Sequence, residues 1–321
     1  MVRMTRYVTF AYGDAPGVYR QSLMLLLSIV AHAPSPYELV VATDRPECYV
    51  WFGTRVEIEY LDRAVLDGWR GPDPFSMRQK LALLRAACPD EGAIALIDAD
   101  VVARGDLARF AARLHDGELF MHKREYVLSR SSRPGNRRLW RELRARGRML
   151  EAHGITLTDD DAMWNSGVIA LPARDRGLID KALQLYDAIG AAGLRHFAAE
   201  QLVEGLVFSR TKRLHAAEEW FTHYWGNKPG YDLEIARRLA DAFIEGLSVK
   251  EAATRFREQP IGLPVEVRPG KQDVGQKRAA AAPSPEAPGR VALDLGRDLG
   301  DRARHAHQPR EDRQEAGRDR G

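Results

Sequence analysis

Residues 93–100 read AIALIDAD, and this stretch decides the fold. Ala93 to Ile97 form a continuous apolar run, as expected of a strand buried on both faces. Asp98 and Asp100 follow at once. On an extended segment their side chains point to the same side. Two carboxylates so close repel each other unless a cation lies between them. Hard divalent ions such as Mg²⁺ and Mn²⁺ favour oxygen ligands of this kind. A buried strand that ends in two acids therefore predicts an α/β sheet with a metal at its carboxyl edge.

The flanking segments agree. VVARGDLARF continues from the acids (residues 101–110), with Asp106 placed as a helix N-cap. Upstream, Met77 to Ala87 has helical periodicity, and Val56 to Tyr60 alternates as a half-buried strand should. Glu38 to Thr43 and Tyr7 to Tyr12 read as strands, with a helix over Tyr19 to Ala31 between them. Leu23 to Ala31, with Ala31-His32-Ala33 after it, imitates a signal peptide. It starts far from Met1 and follows a strand, so a buried helix is expected. Leu119 to His122 and Val168 to Leu171 are two further strands. Strand and helix in alternation predict an α/β/α sandwich with a mostly parallel sheet. In such sheets ligands sit beyond the carboxyl ends of the strands.

Three later motifs also carry chemistry. Asn165-Ser166-Gly167 precedes the strand VIAL, where a glycine lets a ligand or another backbone come close. The residues alone do not separate a sugar-contacting site from a simple turn. His223-Tyr224-Trp225-Gly226-Asn227-Lys228-Pro229 packs an imidazole and an ammonium into six residues, suited to a metal and to phosphate. Glu200-Gln201 opens an apolar helix, EQLVEGLVF. A second Asp-x-Asp, Asp159 with Asp161, lacks the preceding strand and reads as an ordinary turn.

Composition narrows the functions. The 321 residues carry 48 Lys and Arg against 45 Asp and Glu, and a net charge of +3 is too small to imply a nucleic acid partner. Two cysteines, Cys48 and Cys88, exclude a disulfide scaffold and suggest a reducing, cytoplasmic setting. No apolar run reaches the roughly 18 residues needed to span a bilayer. Peripheral contact at the inner face of a membrane stays compatible with this reading. All ten Phe, six Trp and ten Tyr lie at or before Phe256. Residues 1–232 are expected to form the catalytic domain and 233–262 a helical appendage, with Ser248 and Glu251 as a capping box. Residues 263–321 are expected to be a disordered tail. GLSVKEAA (residues 246–253) resembles the first helix of a helix-turn-helix unit, but Pro260, Gly262 and Pro264 interrupt the place of a recognition helix.

Taken in order, the motifs resemble a GT-A fold, nucleotide-sugar-dependent glycosyltransferase, most like the retaining family 8 type, over roughly residues 5–230. The resemblance implies a base and ribose site at Tyr12 and Asp14, and a donor contact from Lys80 or Arg78. It implies metal ligation by Asp98, Asp100 and His223, and sugar contacts at Asn165 and Gly167. Glu200 and Gln201 match the acid/amide pair near the anomeric carbon, and Lys228 the diphosphate contact. Mn²⁺ or Mg²⁺, a nucleoside-diphosphate sugar donor (UDP-hexose by default) and a glycan or small-molecule acceptor follow from it. Two departures stand out: only Asn227 separates Gly226 from Lys228, and Glu200 stands where the family more often has Asp. Two alternatives share the fold: a sugar-nucleotide pyrophosphorylase, disfavoured by the glycine-poor FAYGDAPGVYRQS (residues 10–22), and an inactive nucleotide-sugar-binding relative.

Overall fold

Strands that must hide both faces take the middle of a sheet, and the apolar runs of this chain do so. The computed structural model describes residues 4–71 and 77–262. In chain order, β1 (Thr5–Ala11) leads through α1 (Pro16–His32) to β2 (Tyr37–Thr43) and β3 (Glu57–Tyr60). Next come α2 (Arg63–Arg70), α3 (Arg78–Ala87), β4 (Ala93–Asp98), β5 (Val101–Ala103), α4 (Leu107–Asp116) and β6 (Leu119–Val127). Then follow α5 (Pro134–Ala145), α6 (Gly147–Ala152), β7 (Ala162–Pro172), α7 (Gly177–Ala191) and α8 (Ala199–Ser209). Last are β8 (Leu214–Ala216), β9 (Phe221–His223), α9 (Lys228–Ile244) and α10 (Val249–Glu258).

The main sheet has the order β3-β2-β1-β4-β7-β6-β8. Among the described strands of this sheet only β7 runs against its neighbours, so the sheet is mostly parallel as expected. The chain leaves β1 toward β2 and β3 on one side and returns to β4 on the other. That reversal places a crevice at the carboxyl ends of β1 and β4. In register, Phe10 lies beside Asp98 there.

The period of two along each strand divides the core into two layers. Ala93, Ala95 and Ile97 face the layer built with α1, α4, α9 and α10. Ile94 and Leu96 face the layer built with α2, α3, α7 and α8. Leu23 to Ala31 lies in α1, deep in the first layer, which bears out the buried helix. Asp106 caps α4 by accepting from the Ala108 N–H, and Ser248 and Glu251 form the expected capping box.

Three local expectations are corrected. β3 is an edge strand with all four residues exposed, so its alternation does not mark a half-buried face; only the preceding Val56 is buried. Asn165-Ser166-Gly167 does not precede a strand but lies inside β7, where pairing with β4 and β6 extends the strand upstream. α9 begins at Lys228 rather than Leu233, because Pro229 fits a helical first turn, where its missing N–H costs nothing.

The described residues fall in one compact unit, Met1–Arg268. Within it α9 and α10 pack on α1, where the Phe256 ring meets His32 edge-on; Trp51, between β2 and β3, donates through Nε1 to the Leu247 carbonyl at 3.0 Å. The expected tail, 263–321, lies outside the described residues. No described helix is long and apolar enough to cross a membrane.

Candidate active site

The chain turns sharply after β4, and that turn carries Asp98-Ala99-Asp100. β5 leaves the turn and pairs antiparallel with β9, Val101 beside His223. The Tyr224 N–H donates to the Asp100 carbonyl at 3.2 Å and closes the pairing. Two three-residue strands thus bring the imidazole to the acids. One ligand atom from each of Asp98, Asp100 and His223 lies within 4.8 Å of the others. The two carboxylates converge through a turn rather than along an extended strand.

Charge is concentrated here. Burial would raise the Asp100 carboxyl. The hydrogen bond and charge of His223, together with the Lys228 ammonium, outweigh it and hold Asp100 well below the usual carboxylate range. Asp100 Oδ1 is 3.3 Å from His223 Nε2 and Oδ2 is 2.7 Å from Lys228 Nζ. Asp98 Oδ1 is 2.6 Å from Lys80 Nζ. Burial opposes the charge on Lys80, but Asp98, Glu200 and Glu204 around it raise its pKa.

The imidazole is oriented from behind. His223 Nδ1 is 2.8 Å from Asn165 Oδ1, which also accepts the Gly167 N–H at 2.9 Å. An amide oxygen can only accept, so Nδ1 carries the hydrogen. Nε2 then faces the Asp100 carboxylate as a second proton donor or with a cation between them. Two carboxylate oxygens and one imidazole nitrogen, held by an outer amide, suit Mn²⁺ or Mg²⁺. Gly167 is required by the same packing: a β-carbon there would lie 2.3 Å from His223 Nδ1.

On the other side of β7 Lys80 meets Glu200 and Gln201 through Ser166. Lys80 Nζ donates to the Ser166 carbonyl at 2.7 Å and to Ser166 Oγ at 3.1 Å. Ser166 Oγ donates to Glu200 Oε1 at 3.0 Å, and the Ser166 N–H to Gln201 Oε1 at 3.2 Å. Burial pushes the Glu200 carboxyl up, with Lys80 opposing it. Its second oxygen is buried without a hydrogen-bond partner among the described residues.

Nine of the sequence-derived candidates thus form one connected set: Lys80, Asp98, Asp100, Asn165, Gly167, Glu200, Gln201, His223 and Lys228. The other three are tied elsewhere. Arg78 forms a two-pronged pair with Asp187 of α7 and donates to the Trp69 carbonyl. Residues two apart on a helix do not share a face, so Lys80 turns inward where Arg78 does not. Tyr12 donates to Gln79 Oε1 at 2.7 Å, and Asp14 is fully exposed, 3.7 Å from Arg45. Both lie on the loop after β1, the neighbour of β4. The motif aromatics divide: Tyr224 is buried and stacked on Tyr231 at 4.3 Å, while Trp225 is exposed. Asp161 is buried in a two-pronged pair with Arg210, which gives that Asp-x-Asp a structural role.

Four residues escape sequence reasoning. Ser166 is the hub just described. Glu125 accepts from Asn165 Nδ2 at 3.2 Å. His122 places its ring 5.3 Å from that of His223, edge-on, and burial, with His223 adding to it, lowers its pKa to about 4. Glu204 is wholly buried with both carboxylate oxygens unpartnered among the described residues, and burial raises its pKa far above the ordinary value. Two of them left a trace in the sequence: Ser166 stands in the middle of the Asn165-Ser166-Gly167 motif, and Glu204 is an acid one helical turn after Glu200 in an apolar helix.

No protein-family model matches the sequence, and no curated protein is similar to it. Solved structures resemble the fold distantly, among them the following three. A galactosyltransferase, LgtC, solved with donor and acceptor sugar analogues, is 14% identical, with a TM-score of 0.44 over 66% of this chain and 73% of that one. The bifunctional glycosyltransferase WbbM is 14% identical, TM-score 0.45, over 67% of this chain and only 39% of its own length. Mouse xyloside xylosyltransferase 1 is 12% identical, TM-score 0.44, over 66% of this chain and 84% of that one.

Proposed function

We propose that the chain is a metal-dependent glycosyltransferase that moves a sugar, with retention, from a nucleoside-diphosphate sugar to a hydroxyl of a glycan or small molecule. A UDP-hexose is the default donor. The observation that carries the reading is the convergence of Asp98, Asp100 and His223 at the carboxyl end of β4, with Lys228 on Asp100 and Glu200 on the far side of Ser166.

A bound Mn²⁺ or Mg²⁺ would supply Lewis acidity and neutralise the leaving diphosphate. Asp98, Asp100 and His223 would hold it, with Asn165 fixing the imidazole. Lys228, half-exposed on a flexible stem, is free to pass from Asp100 to the phosphates, where its charge stabilises the leaving group. Tyr12 and Asp14 border the base and ribose. Asn165 and Gly167 line the sugar. Glu200 and Gln201 face the anomeric carbon, whose transition state has oxocarbenium character. The free thiols of Cys48 and Cys88 support a cytoplasmic setting.

The test is thermal unfolding with a panel of nucleoside diphosphates, with and without Mn²⁺, on the wild type and Asp100→Asn. A ligand at a hundredfold excess over its Kd adds about 3 kcal/mol. One nucleotide should stabilise the wild type only with metal, and Asp100→Asn should abolish the shift. No shift with any nucleotide and metal would overturn the reading.

A further inference from the structure

We infer that Ser166 is a positioning residue whose hydroxyl sets the orientation of Glu200 and couples it to Lys80. The inference rests on the glycosyltransferase reading above and assigns a role to a side chain that the sequence motif left unexplained.

Adjacent residues on a strand point to opposite faces. On β7, Asn165 faces β9 and holds His223, whereas Ser166 faces α3 and α8 and holds Lys80, Glu200 and Gln201. Two successive side chains thus join the two halves of the site. The Ser166 hydroxyl has a single hydrogen. Lys80 Nζ can only donate, so Ser166 Oγ accepts from it at 3.1 Å. The one hydrogen left goes to Glu200 Oε1 at 3.0 Å. Gln201 Oε1, the other acceptor within reach, is farther at 3.5 Å, so the shorter contact directs the chain from Lys80 through Ser166 to Glu200.

The hydroxyl can be separated from the rest of the residue. The Ser166 carbonyl accepts from Lys80 at 2.7 Å and the Ser166 N–H donates to Gln201 at 3.2 Å, and both survive loss of the side-chain oxygen. Glu200 is held less firmly: one of its oxygens is unpartnered among the described residues, and beside the Ser166 hydroxyl its hydrogen bonding comes from the Gln201 backbone. Without the hydroxyl, its carboxylate is drawn toward the buried ammonium of Lys80 and away from the reacting carbon. Misplacement of about 1 Å at a reacting centre costs on the order of a hundredfold in rate. Lys80 keeps the Ser166 carbonyl and Asp98, and His223 and Lys228 keep their contacts to Asn165 and Asp100, so donor binding is expected to change little.

The experiment measures release of nucleoside diphosphate from the sugar nucleotides UDP-glucose and UDP-galactose with Mn²⁺, for the wild type, Ser166→Ala and Ser166→Thr, with melting temperatures alongside. Ser166→Ala should lower kcat roughly 10- to 100-fold with donor KM within about threefold. Ser166→Thr, which restores a hydroxyl, should recover much of the loss. If alanine lowers the melting temperature by more than about 5 °C, Ser166→Cys replaces it, since cysteine keeps the volume and is only a weak donor. The inference is overturned if kcat stays within twofold of the wild type, if the loss appears in KM alone, or if a folded Ser166→Thr is as impaired as alanine. A wild type that releases no diphosphate from either donor, and that no nucleotide stabilises, overturns the functional reading instead.

Discussion

Gly167 owes its identity to one neighbouring ring. A β-carbon there would meet His223 Nδ1 at 2.3 Å and Cε1 at 2.7 Å, closer than real contacts allow. Gly167→Ala must therefore push the imidazole off the acids and break its hydrogen bond to Asn165. Such overpacking costs about 1–3 kcal/mol. The larger effect is expected on metal affinity, lowered 10- to 100-fold as for lost outer-shell support. Isothermal titration with Mn²⁺ measures it, and unchanged affinity would show that the ring is not a ligand. Asn165 acts at the same range: it holds the tautomer, and Glu125 holds its amide.

At the scale of elements, the site depends on how closely helices approach the sheet. α8 can lie against β7 because Gly205 has no side chain where Trp164 Cδ1 would be 2.9 Å away. That approach lets Glu200 reach Ser166. On the opposite layer α10 is fastened to α1 by Phe256, and its first turn is closed by Ser248 and Glu251. Phe256→Ala should cost about 3–5 kcal/mol. Ser248→Ala should cost about 1 kcal/mol, the usual worth of an N-cap. Urea midpoints at constant slope measure both. A negligible cost for Phe256→Ala would mean that α10 is an independent appendage rather than part of the first core layer.

For the whole molecule, two buried titratable groups give stability a two-sided dependence on pH. His122 is neutral in the native state down to about 4, against 6.5 unfolded. The unfolded chain binds the proton first, so stability falls as pH drops from 6.5 toward 4, by up to roughly 3 kcal/mol. Glu204 is displaced the other way, far above 4.5. There the native state keeps the proton longer, so stability falls as pH rises from 4.5 through its native value. His122→Gln should flatten the acid limb and Glu204→Gln the alkaline one. Melting temperatures between pH 4 and 9 measure the two differences, and they should have opposite slopes. Parallel curves for the variants and the wild type would mean that neither group titrates abnormally.

Much of the fold was legible because it is written locally. The apolar run from Ala93 to Ile97, the buried α1 segment, the Asp106 cap and the Ser248 capping box depend on neighbours within a few residues, and each formed as expected. Where a partner strand decides, local reading failed: β7 extends upstream over Asn165-Ser166-Gly167 because β4 and β6 pair with it, and β3 lies exposed because nothing covers it. The site divides in the same way. Residue types and order pointed to Asp98, Asp100, His223 and Glu200. That Lys80 joins the cluster at β7 while Arg78 pairs with Asp187 needed the face that α3 turns to the sheet. Ser166, His122 and Glu204 gain their roles only from side chains distant in the sequence. The sequence by itself determined the α/β class, the strand that ends in two carboxylates and the helix ends, since propensity, periodicity and capping act over a turn or a few residues. Only the tertiary structure decided which charges meet, because register across β5 and β9 and the approach of α8 to β7 are set by packing between segments far apart in the chain.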